Sequence, residues 1–381
     1  MRSAKSGHAR EVAQLFLKLG LIAFGGPAAH IALMRQEVVN RRKWLSEQEF
    51  LDLLGASNLI PGPTSTELAI YLGYTRAGPV GLLLAGGLFI LPAMLLVLAF
   101  AWAYVQFGST PQAGALLYGI KPVILAVIVQ AIYGLVRTAV KNVLLAAVVV
   151  AAIVLFFVGV NPLVPLFGLA IVVSLLENRS QWLARAQTGV WLAQVVPAAA
   201  GVQEFTLGAL FLTFLKIGAT LYGSGYVLLA FLHDDFVNRL GWLSDRQLLD
   251  AVAVGQFTPG PVFTTATFIG YVLGGIWGAL VATVAIFLPS FVFVSLVYPF
   301  VTRLRASPWT SHFLDGANAA AVGLMAAVAW QLAITSIVDA LTLVLALVAA
   351  VVLIRWKLNS AWLVLAGGAI GLASSAGGFS F

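Results

Sequence analysis

The second half of this chain repeats the first. A shift of 198 residues carries Lys18 onto Lys216, Gly20 onto Gly218 and Gly25 onto Gly223 without a gap. The same register places Asn40-Arg41 on Asn238-Arg239, Trp44-Leu45-Ser46 on Trp242-Leu243-Ser244, and Asp52 on Asp250. It holds through Pro61-Gly62-Pro63, which meets Pro259-Gly260-Pro261. One deletion then changes the shift to 197, and Gly73-Tyr74, Gly81 and Leu91-Pro92 fall on Gly270-Tyr271, Gly278 and Leu288-Pro289. Self-similarity of this kind marks a duplicated structural unit. The chain divides into a first repeat over 1–185, a linker over 186–204 and a second repeat over 205–381.

The repeats are built for a bilayer. Of 381 residues, 61% are hydrophobic and 9% charged, with mean hydropathy +1.00. A soluble domain carries about 25% charged residues, so a water-soluble enzyme is excluded. The apolar stretches suit helices that cross about 30 Å of hydrocarbon, and the weak alternation of a barrel is missing. The expected fold is an all-α polytopic membrane protein with about ten transmembrane helices plus re-entrant or broken helices at the Pro-Gly-Pro motifs. The chain has no cysteine, so disulfides and thiolate ligands play no part. Its net charge of +7 reads as basic cytoplasmic loops rather than nucleic-acid binding. Phe24-Gly25-Gly26-Pro27 interrupts the first apolar run behind Arg2, Lys5 and Arg10, so that run reads as a mature span rather than a cleaved signal.

Equivalent loops of the two repeats carry opposite basic content. Residues 109–114 have none, whereas their counterpart holds Arg303 and Arg305; Arg137 and Lys141 oppose a loop with only Asp339. The turn at Asn161-Pro162 is uncharged where its partner has Arg355 and Lys357, and Arg179 with Arg185 matches an uncharged C-terminus. Under the positive-inside rule the repeats are inverted. Inversion requires an odd number of crossings per repeat, and five are readable in the first: 12–34, 80–107, 115–136, 142–158 and 160–177. The stretch around Pro61 is then a hairpin that enters and returns. This count puts Arg2, Lys5 and Arg10 outside, against the rule, unless the first segment is itself re-entrant.

Both repeats carry helix-start signals, Ser46-Glu47-Gln48-Glu49 and Ser244-Asp245-Arg246-Gln247, in capping-box form. Trp44 and Trp242 suit the interface beside them. Arg41 with Asp52, and Arg239 with Asp250, are expected to form a repeated ion pair. Pro61-Gly62-Pro63 and Pro259-Gly260-Pro261 must break a helix at membrane depth, because two prolines remove two backbone donors. A break exposes a helix start whose amides and dipole attract an anion. Thr64, Ser65 and Thr66, and Thr264 and Thr265 in the second copy, fall in that first turn. The competing reading is a packing kink whose hydroxyls bond backward. Gly25 and Gly26, matched by Gly223, Ser224 and Gly225, form a second duplicated break for close approach of a helix or a ligand.

Lys18 and Lys216 lie inside apolar runs, where an ammonium costs about 2.5–3.5 kcal/mol. Related by a pseudo-twofold axis, they could converge on one dianion; the alternative is snorkelling. His30, whose counterpart is Leu228, is either a satisfied hydrogen-bonder or a ligand. Glu67, opposite Thr265, could stabilise its helix start, carry a proton or pair with a lysine. Lys121, beside Pro122, reads as snorkelling at a span start, and Asp315, Asp339 and Glu177 as loop or span-end charges. No metal motif, P-loop or catalytic constellation is present, so the reading is a non-enzyme without cofactor, energised by an ion gradient or the membrane potential.

The segments Phe24-Gly25-Gly26-Pro27-Ala28-Ala29-His30, Trp44-Leu45-Ser46, Leu59-Ile60-Pro61-Gly62-Pro63, Tyr222-Gly223-Ser224-Gly225-Tyr226 and Phe257-Thr258-Pro259-Gly260-Pro261 resemble those of the chromate transporter family. The similarity covers both halves and is like the long, two-domain form. It implies a multi-pass inner-membrane protein that exports chromate from the cytoplasm, driven by membrane potential or proton gradient, with chromate resistance as outcome and sulfate as competitor. The partners implied are a tetrahedral oxyanion and the bilayer. A homodimer is a compatible assembly, although no span offers a clean dimer face. Alternatives are a permease for sulfate or another oxyanion, an anion channel, or a structural membrane protein.

Overall fold

The computed structural model describes residues 2–24, 26–178, 204–222, 227–298, 308–356 and 358–376. These are helical throughout, apart from turns. The first repeat contains α1 (Arg2–Ile22), α2 (Gly26–Arg35), α3 (Glu47–Ser57), α4 (Thr64–Phe107), α5 (Pro111–Ala139), α6 (Val143–Phe157) and α7 (Leu163–Glu177). The second has α8 (Leu207–Thr220), α9 (Leu228–Leu232), α10 (Asp245–Phe257), α11 (Thr265–Val297), α12 (Pro308–Ser336), α13 (Ala340–Trp356) and α14 (Ser360–Ala376). Two π-helical stretches, Gln36–Arg41 after α2 and His233–Arg239 after α9, are equivalent.

The local signals act as the sequence predicts at the amphipathic helices. Ser46 and Ser244 cap α3 and α10, with Glu49 and Gln247 reaching back to close both capping boxes. Each cap is worth about 1 kcal/mol. Proline and glycine shape the long helices. The continuous helix α4 bends sharply at Ala77-Gly78 and α11 at Gly274-Gly275, where Gly78 and Gly275 both adopt φ +62. Only glycine takes that conformation without strain. Each bend separates a short arm that follows Pro-Gly-Pro from a longer span, so 64–76 and 79–107 form a tight helical hairpin. The sequence reading of 80–107 as a crossing separate from the stretch around Pro61 agrees with this bend, which falls just before it, although Gly78 itself carries no mark among several glycines. The expected first crossing, 12–34, is likewise two helices, broken after Ile22.

The halves interlock. Within each repeat the first helix packs on the long bent one, α1 on α4 and α8 on α11. Across the repeats, α5 packs on α13 and α14, and α12 on α6 and α7. Equivalent helices also meet each other, α4 with α11 and α5 with α12, as an internal twofold axis requires. The exchange is visible at single residues. A Cβ added to Gly119 would lie 2.0 Å from the Gly367 carbonyl, and one added to its equivalent, Gly316, 2.8 Å from the Ala170 backbone. Small residues at such crossings are how helices associate without a hydrophobic driving force. Among the described residues four helices, including the long bent ones, are apolar and long enough to cross a membrane. The fold is an all-α polytopic membrane protein made of two repeats, and an inverted pair fits it.

Candidate functional site between the two Pro-Gly-Pro turns

Each Pro-Gly-Pro turn is tied to the broken first helix of the other repeat. The amide of Gly62 donates to the Leu221 carbonyl at 2.7 Å, and the amide of Gly260 donates to the Ala23 carbonyl at 2.9 Å. Gly62 and Gly260 are equivalent, as are Leu221 and Ala23. These bonds satisfy backbone groups freed by the breaks, which membrane depth demands.

His30 completes the crossing. It is 1% exposed, bonds to the Ala23 carbonyl through Nε2 at 3.0 Å and to Ser65 Oγ through Nδ1 at 3.2 Å, and stands edge-on to Phe89. With Nε2 donating to the carbonyl, Nδ1 accepts from the serine hydroxyl. His30 is a satisfied hydrogen-bonder that joins the break behind α1 to the first turn of α4.

The two hydroxyl sets differ. Thr264 donates to the Pro261 carbonyl and Thr265 to the Val262 carbonyl, each at 2.8 Å, across a single 3-10 turn. These hydroxyls bond backward, the packing alternative. In the first repeat Ser65 is engaged by His30, Thr66 is buried with its hydroxyl unpartnered among the described residues, and Thr64 lines a cavity.

That cavity, about 560 Å³, opens between the repeats. Pro27, Ala28 and Ile31 of α2, Asn58, and Thr64 line one wall, and Thr138, Val227 and Asn318 line others. Lys141 and Asp315 form a cross-repeat ion pair of 2.7 Å at its rim. The starts of α2 and α4 both reach it, so two positive dipole ends flank one space. The equivalents of Ile31, Asn58 and Thr64 are Leu229, Gln256 and Val262, and these line a second space of only about 10 Å³. One member of a symmetry-related pair of cavities is open and the other collapsed. Near the collapsed one, Lys121 lies 3.2 Å from Asp250, which also accepts from the Tyr104 hydroxyl at 2.9 Å. Both charged side chains are nearly buried, so Lys121 does not snorkel; it pairs across the repeats.

The remaining predicted residues are placed as follows. Lys18 pairs with Glu37 at 2.8 Å, and Lys216 with Asp235 at 2.5 Å, each within its own repeat. Arg41 and Arg42 also meet Glu37, and Arg239 meets Asp235. The lysines thus stand in two local ion-pair clusters on the π-helical stretches. Arg41 was expected to pair with Asp52 and Arg239 with Asp250; Arg41 meets Glu37 and Arg239 meets Asp235, each standing one turn before its arginine, and Asp250 pairs with Lys121. The signal was readable: Glu37 and Asp235 align at the same shift as the lysines. Gly26 opens α2 with φ +77. Gly25, Gly223, Ser224 and Gly225 lie outside the described residues, as do Arg179, Arg185, Arg303, Arg305, Lys357 and all of the linker except Glu204. Among the described residues no cluster of metal-ligating side chains occurs.

Comparison with known proteins agrees with this architecture. The family model for the chromate transporter matches residues 10–175 and 208–372, one stretch in each repeat. The chain is 36% identical over 367 residues to a chromate transport protein of Cupriavidus metallidurans, covering 95% of this chain and 92% of that one. It is 34% identical to a chromate transport protein of Pseudomonas aeruginosa, over 93% of this chain and 90% of that one. A probable chromate transport protein of Synechococcus elongatus is 33% identical over 92% and 90% of the two chains. No solved structure matches. With a family match in both repeats and relatives aligned over nearly their whole length, this chain belongs to the chromate transporter family.

Proposed function

We propose that the chain exports chromate from the cytoplasm by alternating access, with the cavity between the repeats as the substrate vestibule. The observation that carries this reading is the unequal pair of symmetry-related spaces, about 560 Å³ against about 10 Å³. Interconversion of two such repeats closes one space and opens the other, which is how inverted-repeat transporters work. The basic residues Arg137 and Lys141 near the open cavity assign its mouth to the cytoplasm under the positive-inside rule. This conformation then accepts substrate from inside an inner membrane. Chromate is a tetrahedral dianion, and two helix starts with the Thr64 hydroxyl suit its oxygens. Lys141 and Asn318 add donors at the wall. Export of a dianion from an inside-negative cell is favourable by about 2.3 kcal/mol per charge per 100 mV. The membrane potential alone is therefore a sufficient driving force.

The roles of the predicted residues divide along this geometry. Thr64 contacts substrate; Pro61, Gly62, Pro63, Pro259, Gly260 and Pro261 hold the crossing of the breaks; His30 and Ser65 fix the α4 start. Lys18 and Lys216 supply positive potential from their ion-pair clusters. The test is chromate accumulation and survival in cells producing the chain. Lower accumulation and higher survival than vector controls support export. Unchanged chromate content with raised sulfate uptake supports a sulfate permease instead.

A further inference from the structure

Among the described residues, four carboxylates are almost fully buried: Glu37, Glu67, Asp235 and Asp250. Three of them lie on cations, Glu37 on Lys18 and two arginines, Asp235 on Lys216 and Arg239, and Asp250 on Lys121. Glu67 is different. It is 0% exposed and forms no ion pair within the described residues. Its Oε1 is 3.5 Å from the Ser290 hydroxyl, and Oε2 has no partner among the described residues. The Tyr71 hydroxyl, one turn along the same helix, is also buried and unpartnered among the described residues. Among the described residues the groups facing Glu67 are neutral: Ser290 from α11, the Gly62 turn, Tyr71 on its own helix, and Tyr222 beyond α8, which lies within electrostatic range. Next along, His30 faces Ser65 rather than the carboxyl.

An ionised carboxylate in such a place, without a cation, is far more expensive than a neutral one. Glu67 also stands one helical turn beyond Thr64, on the same face as the residue that lines the open cavity. A negative charge there would repel a dianion bound at Thr64, whereas a neutral carboxyl would not. We propose that Glu67 is a proton-binding site loaded together with the substrate anion. The carboxylate takes up one proton, forming an O–H bond at one of its oxygens, while the cavity accepts the dianion. That proton leaves when rearrangement of the repeats exposes the carboxyl again. Glu67 is a positioning residue for charge and touches no substrate. The counterpart Thr265 cannot do the same, so one proton is bound per pair of repeats.

The coupling to substrate rests on the transport reading above, but the proton site itself can be tested without it. Infrared spectra of the purified protein at neutral pH should contain a protonated-carboxyl C=O band that is absent in Glu67→Gln and shifted in Ser290→Ala. Absence of that band in the wild type, or its survival in Glu67→Gln, overturns the proton site. Glu67→Asp, which retains the acid, should keep a band and guards against a glutamine variant that does not fold. Chromate flux tests the coupling. Wild-type KM should rise with pH, by at most about tenfold per pH unit, the limit for one linked proton. In Glu67→Gln this added dependence should vanish, leaving only the titration of chromate itself, which both proteins share. Identical pH profiles in wild type and variant overturn the coupling. A wild type that moves no chromate removes the transport reading, while the infrared band still decides whether Glu67 holds a proton.

Discussion

Replacing Lys121 with methionine removes the cation of the buried cross-repeat pair and leaves the Asp250 carboxylate with the Tyr104 hydroxyl and the weaker field of Arg246. At 3.2 Å and an effective dielectric constant near 20, the lost attraction is about 5 kcal/mol. Much of that offsets the desolvation of both charges, and loss of one partner from a buried pair typically costs about 3–5 kcal/mol. On the alternating-access reading, opening the space near Gln256 and Val262 separates this cross-repeat pair, so the cost falls on the present access state. A shift of that size changes the balance between access states by about 10² or more. Methionine at 121 should therefore increase labelling of a cysteine placed at Gln256, in a chain that has no native cysteine to interfere. The double variant Lys121→Met/Asp250→Asn should restore low labelling, because the unpaired charge is gone. Equal labelling in wild type and Lys121→Met, or no recovery in the double variant, would refute the role of the pair in holding this side closed.

Other outcomes follow from the same geometry. A cysteine at Asn58 should react with a water-soluble maleimide much faster than one at Gln256, since the first lines the open cavity and the second the collapsed one. Gly62→Ala should abolish transport: its Cβ would lie 2.2 Å from Glu67 Oε1 at φ +137, with backbone strain alone of about 1–3 kcal/mol. His30→Ala should lower thermal stability by about 1–3 kcal/mol through the buried Ser65 hydroxyl it leaves unpaired, while a wild-type melting curve would make His30 dispensable for the crossing. Asp339 caps α13 through the Thr342 amide, and that bond holds its carboxyl below the ordinary range. Its contribution, about 1 kcal/mol, should be full above the unfolded-state value and lost as pH falls through the lowered one. Asp339→Ala should remove that acid-dependent part of the melting profile.

The repeat made the architecture legible, because duplicated punctuation survives where apolar filler drifts. Pro-Gly-Pro, the two capping boxes and the broken first helix all fall where the alignment puts them. The crossing read as 80–107 starts just past the bend at Gly78, but the glycines that make the two bends, Gly78 and Gly275, do not stand out, since glycine is common in this chain and only the backbone conformation distinguishes them. At the site, the sequence marked which residues are duplicated but not which groups face each other. Glu37 and Asp235 align at the same shift as the lysines, so their pairing was readable, but neither stands out among the ordinary charges near the basic loops. Asymmetric residues were harder still. Lys121 opposite Asn318 and Glu67 opposite Thr265 lack the support of a second copy, yet the first pairs across the repeats and the second is buried without a cation. Partners far apart in sequence, such as Gly62 with Leu221, come together only through the interlocking of the halves.

The most direct measurement is radiolabelled chromate flux in everted membrane vesicles, with the potential set by ionophores and with a Thr64→Val variant beside the wild type. The account predicts saturable, potential-dependent uptake by wild-type vesicles, inhibited by sulfate, and a raised KM in the variant. Chromate movement that does not saturate, or that is indifferent to both the potential and Thr64, would contradict a dianion transporter with its site in the cavity between the repeats.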